Sequence, residues 1–121
     1  MSASITRLPG LWAAALLSIA VTAPAQSADL EAGRKTFEEI CAACHGATGR
    51  PDPSNPVVQA LDPQPADLSN PLFNSREPAE DWNIVVTHGG PALGLSAVKP
   101  AQQGTLKEED IRNVVAYAKP L

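Results

Sequence analysis

Six prolines stand between Gly46 and Asn74, at positions 51, 53, 56, 63, 65 and 71. No regular helix survives that density, because each proline lacks an N–H and its ring clashes with the preceding turn. The segment shows almost no hydrophobic periodicity. A structureless stretch this long is unusual inside a compact domain. Either it is disordered, or it wraps something that is not polypeptide. Val57, Val58, Leu61, Leu68, Leu72 and Phe73 give it apolar side chains, which favours wrapping.

The first 28 residues read as a segment removed before folding. Arg7 is their only charged side chain, and an apolar run follows from Leu11 to Val21, broken only by Ser18. Small residues then gather from Thr22 to Ala28, with Ala23-Pro24-Ala25 as an A-x-A site. That is the basic, apolar and small-residue order of an export signal. An uncleaved anchor is the competing reading, but a span needs roughly 20 apolar residues. We therefore expect a signal peptide over 1–28, a mature domain over 29–121, a periplasmic or otherwise secreted location, and no stable membrane span after cleavage.

The chain of 121 residues has a net charge of −4, and losing Arg7 leaves about −5. An acidic chain with scattered lysines and arginines offers no phosphate-binding patch, so nucleic acid is excluded as a partner.

Around the proline-rich middle, three helices are legible. Leu30, Gly33, Phe37 and Ile40 recur at three- and four-residue steps, predicting a helix over about Asp29 to Ile40. A second is expected from Ser75–Pro78 to His88, stopped by Gly89-Gly90. Ile111, Val114, Val115 and Ala118 make the stripe of a last helix, with Tyr117 beside it and a T-x-x-E box at Thr105 and Glu108 as its start. No strand pattern is visible. About 93 residues with three short helices bury little apolar surface by themselves. A large apolar group held at the centre would make up the deficit.

Cys41-Ala42-Ala43-Cys44-His45 supplies a means of holding one. C-x-x-C-H is the attachment signature of c-type haem. Two thiols at this spacing reach the two vinyl groups on one porphyrin edge, and the adjacent imidazole turns onto the iron. The cofactor expected is therefore one covalent haem c, on Cys41 and Cys44, with His45 as proximal iron ligand. Other readings of the pair exist. A thioredoxin-like redox motif needs a preceding strand and a βαβ frame, neither of which is visible. A structural zinc site needs a fourth ligand, for which His88 is the remaining histidine. A plain disulfide is the blandest.

With these residues in view, positions 29–121 resemble a class I, single-haem cytochrome c of the bacterial type. Gly33 and Phe37 match the place where that family packs its first helix on an aromatic of the last, here Tyr117. Pro65-Ala66-Asp67-Leu68-Ser69 and Gly89-Gly90-Pro91-Ala92 also resemble family segments. The resemblance implies an all-α fold, three to four short helices and long loops around one haem. It further implies that a proline carbonyl after the haem histidine accepts the ring's other N–H, with Pro56 the nearest candidate.

One departure matters. The family usually places a methionine before a proline as the second axial ligand, and the only methionine here is Met1. In Ser96-Ala97-Val98-Lys99-Pro100-Ala101, Lys99 occupies that position by comparison. Three options stay open. Lys99 binds iron, although neutralising a free lysine at pH 7 costs about 4.6 kcal/mol. His88 binds instead, imidazole being the better ligand near neutrality. Or the sixth position is open.

The leading functional expectation is a one-electron carrier with non-Met ligation, and not an enzyme, since no catalytic set can be assembled around His88. Its redox partner proteins are expected to present a basic docking surface. The alternatives are gas or peroxide binding at an open iron position, or service as the haem subunit of a larger oxidoreductase.

Overall fold

The computed structural model describes Met1 and residues 26–121. The expected signal peptide falls almost wholly outside the described residues. Among the described residues the fold is helical, with no strand and one isolated bridge between Gln103 and Leu106. None of their helices is long and apolar enough to cross a membrane.

The first helical rod has three parts: α1 (Leu30–Thr36), a π-turn (Phe37–Cys41) and α2 (Ala42–His45). Asp29 caps it, its carboxylate accepting from the N–H groups of Glu31 and Ala32 at 3.0 Å each. The rod therefore runs through the Cys motif instead of ending before it. Gly46 stops it at φ 74°, a left-handed value that suits glycine, and a Cβ there would overlap the Arg50 carbonyl.

Two short helices interrupt the proline-rich segment, α3 (Pro56–Gln59) and α4 (Pro71–Arg76). The expectation of an unbroken loop over 46–74 is corrected here, and with it the count of three to four helices. Each short helix begins with an Asn-Pro pair. Asn55 Oδ1 accepts from Val57 N–H, and Asn70 Oδ1 accepts from Leu72 N–H, both at 2.9 Å. Proline at the first helical position lacks only a donor that would be orphaned anyway.

Next come α5 (Ala79–His88), a 3₁₀ turn (Gly90–Leu93) and α6 (Glu108–Ala118). Ser75, expected near the start of α5, belongs to α4. The expected Thr105–Glu108 box does not form either. Lys107 is the N-cap of α6, and its N–H donates to the Asp110 carboxylate at 3.1 Å. Thr105 N–H is taken by the Gln102 carbonyl instead, closing a turn before the helix.

The core lies where α1 crosses α6. Phe37, Trp82, Ile111, Val114, Val115 and Ala118 are buried together. A Cβ on Gly33 would overlap the Asn113 carbonyl, so the backbones meet directly there. Phe37 and Tyr117 sit ring to ring at 5.7 Å, as the family resemblance implied. Leu30, placed on this face by periodicity, is instead 56% exposed. Leu68 and Phe73 pack onto the polypeptide core, Phe73 lying 6.0 Å from Trp82. Part of the proline-rich segment thus completes the protein core itself.

Candidate functional site

Cys41 and Cys44 are both free and half-buried at the end of the first rod. His45 is the last residue of α2. Its Nδ1 lies 3.0 Å from the carbonyl oxygen of Ala66. A carbonyl can only accept, so Nδ1 carries the proton and donates, and Nε2 keeps its lone pair. This is the tautomer a metal-binding histidine needs, and the carbonyl fixes the ring while raising its basicity.

The acceptor is not Pro56, as expected. Pro56 opens α3, and its carbonyl is already used by the N–H of Ala60. Ala66 reaches His45 because the strap that holds it is pinned on both sides. Leu68 N–H donates to the Gly49 carbonyl at 2.7 Å. Asp67 Oδ1 accepts from both the N–H and the Oγ of Ser69, at 3.0 and 2.6 Å. A backbone acceptor 21 residues away has no side-chain signature, although Pro65–Ser69 stood out as a family-like segment.

Electrostatics at the site follow burial. Burial pushes the Cys41 thiol up, Lys99 working against it and Cys44 with it. Burial pushes His45 down; the Ala66 hydrogen bond opposes this, and the charge of Lys99 adds to it. Lys99 is itself pushed below the ordinary lysine range by burial, with Cys41 opposing.

The loop after α5 holds the backbone of Lys99. Gly90 N–H donates to the Lys99 carbonyl at 3.0 Å, and a Cβ on Gly90 would overlap the Ser96 carbonyl. Lys99 is half-buried, and its Nζ donates to the Pro100 carbonyl at 3.0 Å. His88, at the C-terminus of α5, is exposed. Among the described residues no three His, Cys, Asp or Glu side chains converge as a metal-binding group.

The donor chemistry suits covalent haem. Two free thiols three residues apart stand beside an imidazole whose Nδ1 is engaged and whose Nε2 is available. Comparison with known proteins agrees. A solved structure titled "KustC0563 c-type cytochrome" is similar with a TM-score of 0.55 and 17% identity, over 72% of this chain and 93% of that one. At that identity the likeness speaks for the fold. No curated protein matches the chain. Residues 28–117 match the family described as "Cytochrome C oxidase, cbb3-type, subunit III". Since that match spans well over half of the 121 residues, the chain belongs to this cytochrome c family, and its cofactor is covalent haem c.

Proposed function

We propose that the protein is an exported one-electron carrier. Its haem is held by thioether bonds to Cys41 and Cys44 and by the Nε2 of His45, with the Nζ of Lys99 as sixth ligand. Bound there, the haem supplies a ferric–ferrous couple. The chain's own residues set that couple. Ala66 keeps the imidazole oriented and electron-rich. The Gly90 hydrogen bond holds the backbone of Lys99.

The observation that carries the reading is the His45–Ala66 contact beside two free thiols on the same rod. Lys99 is favoured over His88 because Lys99 is half-buried, with its backbone held by Gly90, and stands at the family's methionine position, whereas His88 lies exposed at the end of α5. A nitrogen ligand in place of methionine lowers the reduction potential relative to a Met/His site.

The mature charge of about −5 suits redox partners with a basic docking surface. The family description names an oxidase subunit, so a larger oxidoreductase is a fitting partner class. Export follows from the signal pattern in residues 1–28.

One contact favours a second reading. Lys99 Nζ is already satisfied by the Pro100 carbonyl, an arrangement compatible with an open iron face and small-ligand binding. EPR of the ferric holoprotein beside Lys99→Ala and His88→Ala separates the two. Electron carriage with Lys99 ligation requires a low-spin parent that turns high-spin in Lys99→Ala alone. A high-spin parent that binds CO rapidly when reduced makes ligand binding the function instead.

A further inference from the structure

The first rod contains one surplus residue. Ala42 N–H donates to the carbonyl of Phe37, five residues back, instead of to Glu38. Nothing local demands this, since the run Thr36-Phe37-Glu38-Glu39-Ile40-Cys41 contains no proline or glycine, the usual causes of a helix irregularity. We propose that this π-turn is a phase-setting device: it turns Cys44 off the stripe that faces α6 and brings His45 to the phase at which its ring meets the strap that carries the Ala66 carbonyl. The proposal rests on the reading of Cys41, Cys44 and His45 as the haem-binding residues.

The geometry follows from helical spacing. In an unbroken α-helix, Gly33, Phe37, Cys41 and Cys44 would fall at steps of four, four and three, along one stripe. Gly33 and Phe37 fix that stripe against α6, through the close approach at Asn113 and the ring contact with Tyr117. Cys44 would then face α6, and His45 would lie about 100° from the direction in which it meets Ala66. One surplus residue rotates everything beyond it by about 100°.

The packing shows that rotation. Cys41 and Ala42 lie side by side against the core, and Cys44 is not among the residues packed there. An α-helix would put Ala42 well off the core stripe. Among the described residues, α1 and the π-turn contact α6, while α2 contacts α3 and the π-turn. Two registers are thus fixed independently, Gly33 and Phe37 on α6 upstream and His45 on Ala66 downstream. A helix with 3.6 residues per turn does not satisfy both, and the π-turn absorbs the difference.

The test deletes Glu39, which is exposed. Haem-loaded ΔGlu39 is expected to lose the parental EPR and optical spectra and to shift in reduction potential, because His45 no longer meets Ala66. Reinserting one alanine between Ile40 and Cys41 is expected to restore both readings, since the residue count and not the identity of residue 39 matters. A deletion variant with parental spectra and potential overturns the proposal, even if its melting temperature falls. So does a failure of the reinserted alanine to restore them.

If the deletion does not fold, the intact ferrous holoprotein decides by NMR. A hydrogen-bond scalar coupling from the Ala42 amide to the Phe37 carbonyl supports the π-turn, and a coupling to the Glu38 carbonyl overturns it. Intact mass of the parent is read first. A parent with no covalent haem removes the underlying reading and this proposal with it, whereas a haem-bearing parent leaves the π-turn to be judged by the deletion, or by the NMR coupling where the deletion does not fold.

Discussion

The Nδ1 of His45 donates to the carbonyl of Ala66 across 3.0 Å, and that carbonyl is held in place by the bond from Leu68 N–H to the Gly49 carbonyl. Gly49 has φ 79°, and an added Cβ would press on Leu68 and Leu121 at 3.3 Å. Gly49→Ala therefore strains the strap at its anchor. We expect a stability loss of about 1–2 kcal/mol from the left-handed backbone alone. A weaker His45–Ala66 bond leaves a less basic imidazole, so the reduction potential rises. Redox titration beside thermal melting checks this. A lowered melting temperature with an unmoved potential would mean that the strap does not hold the carbonyl.

Gly33 lies where α1 and α6 touch through their backbones. The obstacle to a Cβ is the Asn113 carbonyl, which cannot swing aside as a flexible side chain can. Gly33→Ala must push the helices apart and disturb the Phe37–Tyr117 contact. The expected cost is about 1–3 kcal/mol, as for other overpacked interiors. For a domain of this size that is a drop of about 4–8 °C per kcal/mol in a thermal melt. A variant melting like the parent would show that the interface is looser than described.

Lys119 ties the end of α6 to the end of α4. Its Nζ donates to the carbonyls of Asn74 and Glu77 at 2.7 Å each and lies 5.4 Å from the Trp82 ring centroid. Those carbonyls belong to the C-terminal end of α4, where no intrahelical donor is available. Hydrogen bonds from a charged donor contribute about 1.5–3 kcal/mol each. Lys119→Met keeps the stem and removes the donor, and it should cost at least one such bond in urea unfolding. Wild-type stability in that variant would mean that water replaces the ammonium without loss.

Asp67 sits beside Ala66, and its carboxyl is held below the usual carboxylate range, chiefly by the Ser69 hydroxyl, with the Ser69 N–H and Arg50 assisting against desolvation. The folded value is lower than the unfolded one, so the group favours the folded strap fully above about pH 3.9. That contribution fades as pH falls through the depressed value. Ser69→Ala should move the Asp67 midpoint upward, as read by carboxyl-carbon NMR. An unchanged midpoint would remove the hydroxyl as the cause.

Much of the outline was legible because it depends on spacing along the chain. The Ile111–Val114–Val115–Ala118 stripe is buried as its periodicity required. Gly33 and Phe37 meet α6 and Tyr117, and Cys41, Cys44 and His45 share the end of one rod. The short helices α3 and α4 escaped because four and six residues cannot display a 3.6-residue period. Their Asn-Pro starts were the available signal, an N-cap followed by a proline at the first helical position.

What the chain determined by itself is chemistry bound to local order: the thiols and imidazole at their spacing, the glycines where backbones must approach, and the apolar faces of the longer helices. What tertiary structure decided is which distant groups complete that chemistry. The Ala66 carbonyl, the surplus residue in the first rod and the hold of Gly90 on the backbone of Lys99 all depend on long-range packing. A backbone carbonyl looks the same at every residue of a sequence, and only the fold selects the one that meets His45.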